Sequence, residues 1–186
     1  RFFVSFMSGN TTRLGVELAQ GASAALVAGL LIAGFVIGVA AGALLAERSG
    51  SLRREAVLAL AAALLAMGAA GLSFGYAAIY LGGSVLAMGA VNNAFRRDGE
   101  VALGITYMTG ALVRLGEALA AWLSGWQKGH KAAWLSLLLW ASLAGGALLG
   151  TLIALRGPVL AAWLNVACAV AAAATAHWLA SQTGRP

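Results

Sequence analysis

Long apolar stretches separated by short polar segments dominate the sequence. They lie at about residues 22–46, 56–72, 77–95, 132–155 and 159–180. Stretches of this kind reach about 20 residues without a charge, the length with which an α-helix crosses the hydrocarbon core of a bilayer. A membrane β-barrel would instead show alternating segments of about ten residues. The pattern therefore predicts an all-α polytopic membrane protein.

Two shorter segments interrupt this pattern, and they resemble each other. Phe3–Ala19 and Gly104–Ala120 align without gaps, and Met, Gly, Arg, Leu, Gly, Leu and Ala recur at matching positions. Self-similarity at such a spacing is the mark of an internal duplication. We therefore expect two homologous repeats in a single integral membrane domain, with residues 1–72 as repeat 1, lacking its first helix, and residues 73–186 as repeat 2.

Each motif has the same local pattern. β-Branched and aromatic residues come first, followed by a hydroxyl residue and a glycine, and then by a helical pattern. We expect a short extended segment that breaks into a membrane-embedded helix at Gly9 and at Gly110. Ser8 and Thr109 are the predicted N-caps. Helix starts of this kind attract anions, because their free N–H groups carry partial positive charge.

Two arrangements of the repeats fit this pattern. If the motif enters and leaves the membrane on one side, each repeat crosses three times and the repeats are inverted; if the motif crosses, the repeats are parallel. The inverted form is favoured, because it places most Lys and Arg residues of the loops on one side of the membrane. Small residues at four-residue spacing, Gly34, Gly38 and Gly42, recur as Ser142, Gly146 and Gly150, and such faces let helices approach closely.

Composition supports a membrane protein and narrows the chemistry. Hydrophobic residues make up 61% of the chain, charged residues 10%, and the mean hydropathy is +0.88. The net charge of +6 comes mainly from residues between the apolar stretches, so we expect no nucleic-acid binding. The single cysteine, Cys168, excludes an intramolecular disulfide, and no metal-binding spacing or cofactor motif is present. We expect no cofactor and no enzymatic activity.

Arg13 and Arg114 occupy equivalent positions in the two motif helices. An arginine at the bilayer centre costs about 2.5–3.5 kcal/mol on insertion scales, so it needs a partner or a wet cavity. Glu17 follows Arg13 by four residues and Glu117 follows Arg114 by three, so each arginine has a candidate partner in its own helix. Both glutamates are also candidates for proton coupling.

The residues with suitable chemistry for a solute gather in and beside the motifs. Asn92 and Asn93 have two interpretations, either as interhelical hydrogen-bonding groups or as walls of a pocket. The predicted substrate-binding set is Arg13, Arg114, Ser5, Ser8, Gly9, Asn10, Thr106, Thr109, Gly110, Asn92 and Asn93.

The two motifs also carry a family resemblance. The block Phe3-Val-Ser-Phe-Met-Ser-Gly-Asn-Thr-Thr, together with Asn92-Asn93-Ala94-x-Arg96-Arg97 and Thr106-Tyr-Met-Thr109-Gly110, resembles the YoaK-type bacterial membrane proteins, a family of unknown function. The resemblance covers nearly the whole chain. It implies one more helix upstream of the first motif, and a multi-pass protein of the bacterial inner (cytoplasmic) membrane. It implies no particular substrate.

Two functions from different classes remain open. The first is a small secondary transporter or channel for a small anion or a carboxylate-bearing polar solute, bound at the repeat interface near the middle of the membrane. The second is a membrane interaction or assembly protein whose motifs serve helix packing. The lipid bilayer is a partner in both cases, and either function is compatible with a homo-oligomer.

Overall fold

The computed structural model describes residues 2–94, 108–124 and 130–182, and these residues are helical throughout apart from turns and the short segment before the first helix. No strand occurs in these ranges, which confirms the all-α prediction. The helices are α1 (Met7–Ala19), α2 (Ala24–Arg48), α3 (Arg53–Ser73), α4 (Ala77–Val91), α5 (Met108–Leu123), α6 (His130–Arg156) and α7 (Pro158–Gln182), with a 3-10 turn at Gly50–Leu52.

Four helical stretches are long and apolar enough to cross a membrane. They are Ala24–Arg48, Gly50–Ser73, Ala133–Arg156 and Pro158–Gln182. Ala77–Val91 is also apolar, but its 15 residues make a shorter helix than the sequence predicts, because the chain turns at Asn92–Ala94. The prediction of a polytopic membrane protein is confirmed by these helices.

Two tight turns of the same type join neighbouring helices. After α1, Gly21 adopts φ +65°, its N–H donates to the Leu18 carbonyl at 3.1 Å, and the Ala22 N–H donates to the Glu17 carbonyl at 2.9 Å. After α3, Gly75 (φ +86°) and the residue that follows it repeat both bonds. This is the Schellman arrangement, which satisfies the last carbonyls of a helix and requires a left-handed residue.

The described helices fall into two compact units. Unit 1 comprises residues 1–104 and 159–186, and unit 2 comprises residues 105–158. Unit 1 thus holds α1 to α4 and nearly all of α7, and unit 2 holds α5 and α6. This division follows contacts and not sequence similarity, so the predicted repeat boundary at residues 72 and 73 stays a prediction.

In unit 1, α2 and α4 approach each other backbone to backbone. A Cβ atom built on Gly38 would strike the Leu86 carbonyl, and one built on Gly89 would strike the Phe35 carbonyl. A Cβ on Gly42 would lie 2.7 Å from the Ala90 carbonyl oxygen. The interpretation of Gly34, Gly38 and Gly42 as a packing face is confirmed, since the close approach requires the missing side chains.

The other face of α4 packs against α3 in the same way. A Cβ on Gly83 would lie 2.6 Å from the Leu64 carbonyl oxygen and 3.1 Å from the Cα of Gly68. α7 then covers α3 through small apolar residues, since Ala162 and Val166 form a buried cluster with Ala69. Unit 1 is therefore a helix bundle in which α4 packs against both α2 and α3, and α2 also meets α3 directly, where Ala46 packs with Val57 and Leu58.

Unit 2 is the packed pair α5 and α6, in which Ala111 and Ser136 are buried. α5 leaves the small-residue face of α6 uncovered. A Cβ on Gly146 or Gly150 would meet no atom of this unit within 4 Å. The sequence repeats the small-residue face of α2 in α6, but within unit 2 α5 does not pack against that face.

The close approach of α2 and α4 predicts that substitution of two glycines of α2 affects stability very differently. Gly38→Ala is expected to lower the free energy of unfolding by about 1–3 kcal/mol, because the added methyl group overpacks a backbone contact. Gly29→Ala is the matched control, since a Cβ there meets no atom within 4 Å; it is expected to be neutral or slightly stabilising. SDS titration of the detergent-solubilised protein measures both, and equal effects would contradict the prediction.

Candidate functional site

The first motif forms a helix earlier than the sequence predicts. α1 begins at Met7, its N-cap residue is Phe6, and no side chain caps it, so the prediction of Ser8 as N-cap is wrong. Gly9 lies inside the first turn and does not begin the helix. A Cβ on Gly9 would strike the Phe6 ring. The glycine at this position therefore makes room for an aromatic ring and does not break the helix.

The second motif also has its hydroxyl residue and its glycine inside a helix. The described part of α5 runs from Met108 to Leu123, so Thr109 and Gly110 are helical. The predictions of Thr109 as N-cap and of Gly110 as the helix start are therefore wrong as well. Residues 104–107, including Thr106 and the predicted extended segment, lie outside the described residues. The duplication stays a prediction.

Asn10 holds the segment that precedes α1. The Phe3 N–H donates to Asn10 Oδ1 at 3.1 Å, and Asn10 Nδ2 donates to the Phe3 carbonyl at 2.6 Å. Asn10 is completely buried. The predicted extended conformation of this segment is wrong, because the residues between Phe3 and the start of α1 at Met7 fold back so that Phe3 contacts Asn10. The segment instead bends at Val4 and Ser5, and the Phe3 and Phe6 rings meet edge to face at 5.4 Å.

Arg13 is engaged by two groups. Its Nη2 atom lies 3.1 Å from Glu17 Oε1, and its guanidinium carbon lies 5.1 Å from the centroid of the Phe2 ring. The predicted pairing of Arg13 with Glu17 is confirmed. The Arg13 side chain is 41% exposed and that of Glu17 is 13% exposed. The arginine therefore has an ionic partner along the helix and an aromatic partner from the preceding segment.

Two features of this site were not evident from the sequence. Phe2 was not singled out there, because it lies eleven residues before Arg13 and reaches the guanidinium only through the bend in the segment before α1. One donor of Arg13 is also unused, because its Nε atom is buried and has no hydrogen-bond partner in the part of the chain that the structure describes.

The described part of the second motif differs from the first. Arg114 and Glu117 are both exposed and, within the described helix α5, form no ion pair with each other. The position that matches Asn10 is Ala111, which is buried but has no amide to hold a preceding segment. The two motifs therefore differ in side-chain chemistry. Arg13 and Arg114, both in the predicted substrate-binding set, belong to different units, and their contribution to one site stays a prediction.

The two asparagines after α4 form different hydrogen bonds. Asn93 is buried, and its Nδ2 atom donates to the Val39 carbonyl of α2 at 2.9 Å. This confirms the interhelical interpretation for Asn93. Asn92 Nδ2 donates to the Met88 carbonyl of its own helix at 2.8 Å. Asn93 therefore joins α2 and α4 at the end of their glycine contact.

Two further features of the described residues bear on the site. These residues contain no group of three His, Cys, Asp or Glu side chains able to hold a metal ion. A shallow apolar groove of about 200 Å³ lies between α5 and α6. It contains no predicted site residue and is lined by Leu115, Ala118, Leu119, Trp122, Ala133, Trp134 and Leu137.

Comparison with known proteins places the chain in a family. Residues 1–176 match the family described as Protein of unknown function (DUF1275). The chain belongs to the DUF1275 family. One relative, the UPF0700 transmembrane protein RA0705 of Rhizobium meliloti (strain 1021), is 37% identical over 168 residues, which span 87% of this chain and 69% of the relative. No solved structure matches the chain significantly.

Membership of DUF1275 confirms the resemblance to a membrane family of unknown function. The name of the relative describes a transmembrane protein, and the four apolar helices of this chain agree with it. This DUF1275 chain is therefore a multi-pass membrane protein.

The Arg13–Glu17 contact predicts a small coupling between the two residues. In a double-mutant cycle of Arg13→Gln and Glu17→Gln, we expect a coupling energy of no more than about 1 kcal/mol, because solvent screens the attraction between two partly exposed charges. Unfolding of the wild type, both single variants and the double variant in one detergent gives this energy. A coupling of 3 kcal/mol or more, as expected for a buried pair, would show that the pair is a major structural element.

The Asn93 hydrogen bond predicts a loss of stability on truncation. Asn93→Ala is expected to lower the free energy of unfolding by about 0.6 kcal/mol and by no more than about 1.7 kcal/mol, the mean and the maximum measured for interhelical hydrogen bonds in a membrane protein. Thr175→Ala is a control, because its Oγ1 atom is exposed and bonds only to the Ala171 carbonyl of its own helix at 2.7 Å. Thermal unfolding of both variants measures the difference, and an unchanged Asn93→Ala midpoint would refute the role of this bond.

Proposed function

We propose that this DUF1275 protein is a small secondary transporter or channel of the bacterial inner membrane. Its substrate is a small anion or a polar solute that bears a carboxylate. The observation that carries the proposal is the state of Arg13, whose guanidinium has a carboxylate partner and an aromatic partner while its side chain remains 41% exposed. A guanidinium has five donors and Glu17 engages one of its nitrogens, so donors remain for an acceptor atom of a solute.

The length of α1 supports a location of Arg13 within the membrane. Its 13 residues span about 20 Å, which is less than the hydrocarbon core of about 30 Å. The preceding segment adds little reach, because it is tied to Asn10. A motif of this length favours a helix that enters the membrane without crossing it, and so the inverted arrangement of the repeats.

The donors of Arg13 support an anionic solute. Glu17 occupies one edge of a guanidinium that has five donors, so the other donors stay available. The remaining donors suit the planar oxygens of a carboxylate or of a similar small anion. In this proposal Glu17 and, in repeat 2, Glu117 carry a coupling proton. Arg114, Thr109 and Gly110 supply the equivalent surface of the second repeat, and no reaction is catalysed.

The second candidate is an assembly protein whose motifs serve packing. The observation that favours it is the glycine contact of α2 and α4, where backbones meet directly and no room for a solute remains. Asn93, one of the predicted site residues, also serves this contact. The glycine contact and the Asn93 bond lie at the end of α4, whereas the contacts of Arg13 lie on α1.

Removal of the Arg13 charge tests the transport proposal. Purified protein in liposomes is expected to take up at least one of chloride, formate and acetate, and Arg13→Gln is expected to lower the initial rate about tenfold or more, which corresponds to about 1.4 kcal/mol. Arg48→Gln is the control, because it removes an exposed cation at the end of α2. Uptake is followed with an anion-sensitive dye or by radiolabel.

The outcomes separate the two candidates. A rate that depends on Arg13 and not on Arg48 supports transport. An absence of uptake of all three anions, or equal rates in the two variants, would count against the proposal and in favour of the assembly role.

A further inference from the structure

We propose that Asn10 is a positioning residue of the Arg13 site. Its amide holds the backbone of Phe3, and this holds the Phe2 ring against the Arg13 guanidinium. The inference deepens the proposed function and rests on it for the nature of the ligand, but the contact itself does not depend on transport. Asn10 was predicted to touch the solute, and its complete burial gives it this indirect role instead.

The Asn10 amide is matched to one residue of the backbone. Its Oδ1 atom accepts from the Phe3 N–H, and its Nδ2 atom donates to the carbonyl of the same residue. Met7 Sδ, 3.7 Å from Nδ2, is the remaining polar neighbour. A side chain amide can satisfy both groups of one residue only in a single orientation. The pair of bonds therefore sets both the position and the direction of the chain at Phe3.

The direction of the chain follows from two contacts. Phe3 lies against Asn10, and Phe2 lies against Arg13, three residues further along α1. Residues three apart share one face of a helix. The segment before α1 therefore runs back along this face, antiparallel to the helix, and each step toward the N-terminus moves it further along α1. Because Phe2 directly precedes Phe3, fixing the backbone of Phe3 holds the Phe2 ring beside the Arg13 guanidinium.

This arrangement restricts how Arg13 presents its donors. The Phe2 ring lies against the guanidinium, the Glu17 carboxylate takes one edge, and the donors that Glu17 does not engage remain for a ligand. Without the ring, the guanidinium regains rotational freedom, and ordering it again weakens ligand binding. Ala111 in the second motif provides no such amide, so this device belongs to repeat 1.

Fluorine NMR of the full-length protein labelled with 4-fluorophenylalanine tests the proposal directly. The Phe2 resonance is assigned with Phe2→Leu, and in the wild type it is expected to shift on Arg13→Gln. In Asn10→Ala the Phe2 resonance is expected to move toward that of free fluorophenylalanine and to lose its response to Arg13→Gln. Thr11→Ala is the matched control, because its exposed hydroxyl bonds only to its own helix, at the Met7 carbonyl.

Anion titration of the same variants provides the functional readout. Asn10→Ala is expected to weaken binding of chloride or formate about two- to fivefold, the loss of one partly exposed cation–π contact. Phe2→Leu is expected to weaken binding equally, and it keeps the proposal testable if Asn10→Ala does not fold. In Phe2→Leu the Asn10 bonds remain, so a merely structural role of Asn10 predicts no change in this variant.

The results distinguish the two proposals. If the Phe2 resonance responds to Asn10 and Arg13 as described but the wild type binds no anion, the positioning role stands and the proposed function fails. If the Phe2 resonance is the same in Asn10→Ala as in the wild type, or if Thr11→Ala moves it equally, the positioning role is overturned whether or not anions bind.

Discussion

The direct contact between the backbones of α2 and α4 is the constraint on which unit 1 depends. In a bilayer the lipid tails are as apolar as leucine, so helices gain little by burying apolar surface and associate through close packing and hydrogen bonds. Gly38 and Gly89 remove the side chains that would keep the two helices apart. Asn93 then reaches the Val39 carbonyl. With α4 in place, α3 packs on its other face and α7 covers α3.

Much of this fold could be predicted from composition and spacing. Length and hydropathy identified the helices, and the four-residue spacing of Gly34, Gly38 and Gly42 identified the face that packs. The start of α1 could not be predicted in this way. Ser8 and Gly9 have the residue types of a helix start, but the deciding contacts are the Asn10 amide on Phe3 and the ring of Phe6 on Gly9, which residue propensity does not report.

Spacing along the sequence also predicted part of the candidate site. A separation of four residues brought Arg13 and Glu17 together, because residues i and i+4 are neighbours on a helix. A separation of three residues suggested the same for Arg114 and Glu117, but both side chains are exposed and form no ion pair in α5. The partner of Arg13 from outside the helix, Phe2, depends on a chain reversal and so needs the structure.

The Schellman turn between α1 and α2 has a mechanical consequence. It satisfies the last carbonyls of α1 with the N–H groups of Gly21 and Ala22, and it leaves few residues before Ala24 begins the next helix. A link so short and so fully hydrogen-bonded cannot act as a flexible hinge without losing those bonds. If the region around Arg13 opens, α1 and α2 are therefore expected to move together as one rigid hairpin. α2 would transmit that motion to the helices that pack against it.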